Sequence, residues 1–362
     1  MMKDPFFRNK QILVIDADTK TANDRTWCFW ETDTGFFEDI VHHRWSQLDF
    51  FSDTFSATLS IAPYQYKMIR GIDLYAAVQE ERALHPFIHW SREKVISLTT
   101  ENDQAVVRTE TATYTADYVF NSILFRDARQ PFSDKGYHLL QHFTGWMIET
   151  PEAVFDPAKA RFMDFRVDQS EGTTFMYVLP TSARTALVEY TLFTQKILAP
   201  EQYVHALHRY ITGNLSVKNY HIIQEEFGVI PMTNHVFPLQ QGRVIYTGIA
   251  GGQAKGSSGY TFRFIQKRAD QLIGAMKCGE TLQLQRSFSD KKFHLYDSVL
   301  LQVLQNRKLN GDAVFTAIFQ KNPVQRVLRF LDNESTITED LQIMRSVPMP
   351  VFLPAALREL FS

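Results

Sequence analysis

The sequence predicts a mixed α/β (α+β) fold in which parallel-sheet segments flank a central antiparallel sheet and a helical tail closes the chain. Three observations carry this expectation. The apolar run Gln11-Ile12-Leu13-Val14-Ile15 ends in Asp16, the pattern of a buried parallel strand. Between Phe143 and Phe193, successive runs of alternating apolar and polar residues are broken by turn residues, as in antiparallel strands. From Gly248 to Gly259 a glycine-rich segment joins a short apolar strand to a helical pattern.

Taken along the chain, Asp73–Leu84 places Leu74, Ala77, Val78, Ala83 and Leu84 at helical spacing, with Asp73 as its cap. From Ile88 to Ser122 the pattern turns to alternation. Val95-Ile96, Ala105-Val106-Val107 and Tyr118-Val119-Phe120, separated by turns such as Glu101-Asn102-Asp103, predict a small antiparallel meander leading into a strand. Strands are expected at Phe143–Glu149, Ala160–Arg166, Thr173–Leu179 and Thr185–Phe193, followed by a helix over Pro200–Ile211. A strand at Arg243–Gly248 and a helix from near Ser258 follow. From Phe293 onward the periodicity is helical, interrupted by Pro348, Pro350 and Pro354.

Length and charge bound the function. A chain of 362 residues suits two joined domains, and a net charge of -2 gives no electrostatic case for nucleic acid. Cys28 and Cys278 are too few for a disulfide framework or a zinc cluster, and His42-His43 lacks a third ligand at metal spacing, so no metal is expected. No apolar run is long enough to span a bilayer, and the start lacks the apolar core of a signal peptide, which fits a reducing cytoplasm. The supply of 29 Phe, 14 Tyr and 5 Trp serves either an aromatic core or a long apolar ligand.

Six of the 16 glycines fall between Gly242 and Gly259, with Lys255, Ser257 and Ser258 among them. Glycine permits close backbone approach to a ligand, and a helix N-terminus offers free N–H groups to a pyrophosphate. The alternative is a flexible surface loop. The segment resembles the C-terminal flavin-binding segment of FAD enzymes, in which the two ends of the chain form one Rossmann-type domain around a central substrate domain. On that resemblance Asp16, at the end of the second strand, would meet the adenosine ribose. Yet the first glycine is Gly35, so no G-x-G-x-x-G precedes this strand. The expectation is an FAD/NAD(P)-binding Rossmann-like domain lacking its first strand and phosphate loop, which as given binds FAD weakly or not at all.

Asn23-Asp24-Arg25-Thr26-Trp27-Cys28-Phe29-Trp30-Glu31 sets two Trp and a Phe beside charged residues; Arg25 could pair with Asp24 or Glu31, or reach a phosphate or flavin. This string is similar to one in bacterial lycopene beta-cyclases. So are Gly145-Trp146-Met147-Ile148-Glu149-Thr150, Met163-Asp164-Phe165-Arg166, Tyr177-Val178-Leu179-Pro180, Ala186-Leu187-Val188-Glu189-Tyr190-Thr191, Gly228-Val229-Ile230-Pro231-Met232-Thr233 and Gly251 through Phe262, in the family's order over essentially the whole chain.

The resemblance implies an enzyme that uses reduced FAD, with NAD(P)H as reductant, to close the ends of lycopene into beta-ionone rings without net oxidation. It divides the chain into FAD-binding segments at 1–136 and 241–290, an antiparallel-sheet substrate domain at 137–240 and a helical region at 291–362. It matches Glu189 to the essential acid of the plant relatives, whose second acidic position is here Tyr190, so a two-acid mechanism must recruit another residue. Asp164 is the candidate, although it could instead form an ion pair with Arg166. On the alternating strand, Glu189 should share a face with Leu187 and Thr191, opposite Val188 and Tyr190. The cofactor set is Asp16, Arg25, Gly248, Gly251, Gly252, Lys255, Ser258 and Gly259.

Because lycopene is insoluble in water, the resemblance also implies peripheral association with the inner face of the membrane, through Pro348–Pro354 or an amphipathic helix at Val324–Leu331. Competing expectations are a flavin reductase or monooxygenase acting on another isoprenoid, and a non-catalytic carotenoid-binding remnant.

Overall fold

Alternation in the middle of the chain becomes a sheet with both faces covered. A computed structural model describes Met1, residues 4–279 and residues 282–361. Strands β1 (Ile12–Ile15), β2 (Thr26–Glu31), β3 (His43–Trp45), β4 (Gln47–Phe51), β5 (Ser56–Ser60) and β6 (Gln65–Arg70) precede helix α1 (Gly71–Ala83). Then come β7 (Ile88–Ser91), β8 (Val95–Glu101), β9 (Gln104–Thr109), β10 (Thr113–Ala116) and β11 (Val119–Asn121). The middle supplies β12 (His138–Glu149), β13 (Lys159–Asp164), β14 (Thr173–Pro180), β15 (Thr185–Thr194), α2 (Pro200–Arg209) and β16 (His221–Thr233). Short strands β17 (Gln240–Gln241) and β18 (Val244–Tyr246) lead to α3 (Phe262–Lys277). The tail is α4 (Phe288–Gln305), α5 (Gly311–Lys321), α6 (Val324–Leu331), α7 (Ile337–Ser346) and α8 (Met349–Leu360).

The largest sheet has seven strands in the order β16-β12-β15-β14-β13-β4-β5, antiparallel except where β13 runs parallel to β4. The period of two assigns its faces. Val188, Tyr190 and Leu192 of β15 join Met176 and Val178 of β14 and pack under α2 against Tyr203 and Leu207. Leu187 and Phe193 face the other way, into a core with Phe50, Phe162 and Phe175 that α5 and α6 close with Phe315, Phe319, Val327 and Leu328. Parallel pairing is confined elsewhere to β1 with β7 and β11 with β18, among the described residues. A small antiparallel sheet, β2-β6-β3, lies at the aromatic string.

The strands and helices of the middle section lie where alternation predicts them, and β8, β9 and β10 form the expected meander. Three local expectations need correction. Helix α1 begins at Gly71 with Arg70 as its N-cap, and Asp73 sits in the first turn, where its carboxylate accepts from the Arg70 guanidinium at 2.6 and 2.7 Å. The strand at Arg243–Gly248 shrinks to Val244–Tyr246, because Gly248 takes a positive φ and opens a 3-10 turn over Gly248–Gly251. The next helix begins at Phe262 rather than near Ser258, since Gly259 stands at φ +70° and breaks any earlier helical path. No helix among the described residues is long and apolar enough to cross a membrane.

Candidate active site

A cavity of about 680 Å³ opens between the odd-numbered face of β14 and β15, the strands β12 and β16, the aromatic string on β2, and the loop from Gly248 to Phe262. Apolar side chains such as Phe143, Leu179, Leu187 and Ile230 make much of its wall. Near its centre are two carboxyls. Glu189 on β15 and Glu226 on β16 stand opposite the same residue of the intervening strand, Gly145 of β12. The glycine is what lets them meet: a Cβ there would lie 3.0 Å from Glu226 Cγ and 3.1 Å from Leu187 Cδ1.

Each carboxyl has one hydroxyl donor of its own. Thr191 Oγ1 donates to Glu189 Oε1 at 2.7 Å, and Thr26 Oγ1 donates to Glu226 Oε2 at 2.9 Å. The two carboxyls also lie close enough to each other to influence one another's protonation. Glu189 shares its face with Leu187 and Thr191, as alternation predicts, and the surface it retains faces the cavity. Burial, and then the neighbouring Glu226, push its carboxyl up to about 8; burial raises Glu226 as well. The sign is physical: two carboxylates about 4 Å apart repel by about 4 kcal/mol at an effective dielectric near 20, on the order of 10³ in proton affinity. Burial and mutual repulsion thus favour a pair that shares a proton over one that carries two charges.

Around the carboxyls, phenols and a thiol complete the wall. Tyr66, Tyr177 and Tyr260 line the cavity with Cys28, and the Tyr177 and Tyr260 hydroxyls lie 3.3 Å apart. Behind them Trp30 stands edge-on to Tyr260, ring centroids 4.8 Å apart, and Phe162 stacks parallel to it. Burial raises the Cys28 thiol and all three phenols, so none of these groups ionises near neutrality. Neutral aromatic faces on a largely apolar wall suit a cationic or long apolar guest.

Asp164 does not reach this cavity. Its buried carboxylate accepts from Arg166 at 2.7 and 2.9 Å and from the Tyr210 hydroxyl at 2.7 Å, with Arg161 at 3.3 Å. Desolvation opposes ionisation there, but the Arg166 and Tyr210 hydrogen bonds outweigh it and hold the group below its ordinary value. Asp164 is thus an anion in a structural network, and the carboxyl that the sheet register brings beside Glu189 is Glu226 instead. Glu226 was passed over in the sequence although Glu225-Glu226 lies two residues before the Gly228–Thr233 motif on an alternating strand. The structure selects the even residue because it pairs with Gly145.

The expected cofactor residues divide in two. Gly248, Ser258 and Gly259 line the cavity, as does Arg25, whose guanidinium pairs with Asp24 at 2.5 Å. Asp16 lies outside, capping the Asp18 N–H at 2.9 Å and pairing with Lys20. Lys255 is turned away and buried, its ammonium donating to Asp297 at 2.8 Å and to Asn333 at 2.7 Å, so it ties the loop to the helical tail instead of offering charge to a ligand. Gly251 and Gly252 shape the loop: a Cβ on Gly251 would sit 2.4 Å from the Tyr246 carbonyl, and Gly252 at φ +71° packs on Phe237. The loop also leaves polar atoms without partners. Ser258 Oγ and Gln141 Oε1, both cavity residues, are buried and unbonded, and a Cβ at Gly259 would meet Gln141 Oε1 at 2.0 Å. No group of His, Cys, Asp and Glu able to hold a metal is found among the described residues.

Residues 8–357 match the family described as lycopene cyclase protein. A lycopene beta-cyclase of Pseudescherichia vulneris is 24% identical over 375 residues, covering 96% of this chain and 89% of that protein. Among solved structures, a flavoprotein/dehydrogenase from Cytophaga hutchinsonii superposes with a TM-score of 0.64 at 11% identity, over 98% of this chain and 94% of its own. A geranylgeranyl bacteriochlorophyll reductase-like protein from Thermoplasma acidophilum does so with a TM-score of 0.59 at 13% identity, over 97% and 92%. These likenesses establish the Rossmann-like flavoprotein fold.

Proposed function

The chain belongs to the lycopene cyclase family, and from that premise we propose that it is a lycopene beta-cyclase using reduced FAD, with NAD(P)H as the source of reducing equivalents. The observation that carries this reading is a pair of carboxyls, Glu189 and Glu226, set on the wall of a largely apolar, aromatic-lined cavity, where burial favours the protonated form of Glu189. Ring closure needs a proton placed on the terminal double bond, a tertiary cation attacked by a neighbouring double bond, and loss of a proton from the ring. Glu189 supplies the first step, because desolvation keeps its proton available at neutral pH. The faces of Tyr66, Tyr177 and Tyr260 flank the reacting end without offering a nucleophile, since all three stay protonated.

The loop fits a flavin. Gly248, Ser258 and Gly259 would hold it, with the unbonded Ser258 Oγ and Gln141 Oε1 available as its polar partners. When bound in its reduced form it would supply an electron-rich surface beside the cationic stages, with no net electron transfer. The test is product identity. Purified protein given lycopene in liposomes, FAD and a reductant should yield bicyclic or monocyclic product of unchanged mass; a gain of two hydrogens or of one oxygen would instead establish reductase or monooxygenase chemistry.

The same acid predicts a pH profile. Glu189 must carry its proton to work; Glu226, Cys28 and the three phenols around it bring no positive charge, and of the cations that line the same cavity Arg25 is paired with Asp24 and Arg126 is bonded to the Pro131 carbonyl. Cyclisation should therefore be sustained through neutrality and fall as pH rises past about 8, read as initial rates at saturating substrate.

For substrate delivery we propose docking on the lipid surface through α8. Its inner residues Val351, Phe352 and Ala355 pack with α4, while Met349, Leu353, Leu357 and Leu360 are exposed on one outer stripe, with Phe361 beyond them. Arg345 and Arg358 are exposed beside it. Helix α6, the other expected surface, is core: Val324, Val327, Leu328 and Leu331 are buried. Flotation with anionic liposomes should carry the wild-type chain upward, and Leu353→Glu with Leu357→Glu should leave it at the bottom. Equal flotation of both would remove α8 from the account.

A further inference from the structure

We propose that Glu226 is the base that takes the proton from the ring, so that the two carboxyls facing each other across Gly145 divide the acid and base steps between them. This rests on the cyclase reading and deepens it. Glu226 and Glu189 are brought together by β-sheet register alone, 37 residues apart in sequence and each directly opposite Gly145. Glu226 is buried, lines the cavity, and among the described residues forms no ion pair that would fix it as a structural anion. In this it differs from Asp164, which is held by two arginines. Its carboxylate accepts from the Thr26 hydroxyl, which stabilises the charged form. With Glu189 as the acid of the cyclase reading, Glu226, facing it across Gly145, is the carboxyl placed to act as base.

The step balances with this assignment. Glu189 gives its proton to the CH carbon of the terminal double bond, whose electron pair forms the new C–H bond and leaves a tertiary cation on the dimethyl carbon. The cation left on the adjacent carbon is attacked by the electron pair of a second double bond, which forms the ring C–C bond and moves the positive charge into the ring. Glu226 then takes a ring proton, and that C–H pair becomes the ring double bond. The pair ends with its one proton on Glu226 instead of Glu189. Passing that proton back from Glu226 to Glu189, which faces it across Gly145, restores the starting state, so no oxidant, reductant or additional acid is consumed. The position of the base also selects which ring proton leaves, and so which double-bond isomer forms.

The test separates this from the cyclase reading itself. Wild-type protein with lycopene, FAD and reductant is run first; no ring formation there overturns the reading, and the inference with it. Where wild type cyclises, Glu226→Gln should lower beta-ring formation about 100-fold or more, or redirect the product toward rings with a displaced double bond, at unchanged lycopene binding. Glu226→Asp, which keeps a carboxylate one methylene short, should recover part of the rate and show the same displacement. Should the Gln variant fail to fold by circular dichroism, the Asp variant decides alone. Beta rings made at the wild-type rate, with no displaced isomer, by whichever of these variants folds overturn the role of Glu226 while leaving the cyclase reading intact.

Discussion

Glu189→Gln is expected to abolish ring formation, by on the order of 10³-fold or more, while leaving the fold in place. An amide has no proton acidic enough for an alkene, so the first cation is never made. The structure gives reasons for the fold to survive. Thr191 Oγ1 can donate to the amide oxygen as it does to Glu189 Oε1, and the amide N–H₂ can donate to Glu226 where the shared proton now lies. The variant also removes the need for Glu189 to take up a proton on folding at neutral pH, so its melting temperature should equal or exceed that of wild type.

The dependence on pH has a definite sign. Because the folded-state carboxyl of Glu189 sits above its unfolded value, its contribution to stability is complete below about pH 4.3 and is lost as pH rises through about 8. The Gln variant should lack that part of the slope. Rates in a lycopene-supplied assay and melting curves at several pH values check both halves. Beta rings formed by the Gln variant at a rate near wild type would remove Glu189 as the acid.

What was legible in the sequence was local. Period-two alternation placed Glu189 with Leu187 and Thr191, because side-chain facing on a strand depends only on the residue's own parity. It could not place Glu226, because that requires the register of β12 against two strands at once, fixed by pairings reaching from Gly145 to residues 44 and 81 positions away. The same limit explains Lys255. In sequence it is a cation in a glycine loop, and only the tertiary structure brings Asp297 and Asn333 to its ammonium, 42 and 78 residues on. Asp164 shows the converse: its ion pair with Arg166 was readable at a separation of two, but the Tyr210 hydroxyl that completes the network comes from the end of α2. Strand parity reads from sequence; partnership across strands and helices does not.

The second large effect is expected at Gly145, a residue with no functional atoms. Valine favours a pleated strand more than glycine does, so Gly145→Val should cost the sheet little in local preference. Its Cβ would meet Glu226 Cγ at 3.0 Å and Leu187 Cδ1 at 3.1 Å, both flexible side-chain atoms that can give by a few tenths of an ångström. The two methyl groups beyond it have no such allowance, because the space they enter is where Glu189 and Glu226 converge over the central strand. The carboxyls would be pushed apart and their shared proton lost from the geometry that aims it. Gly145→Ala should then reduce cyclisation about tenfold, and Gly145→Val by on the order of 10³-fold, approaching the loss from removing the acid itself. Circular dichroism should report an intact fold in both. A Val variant that cyclises lycopene at the wild-type rate would mean that the two carboxyls do not act as a pair, whatever each does alone.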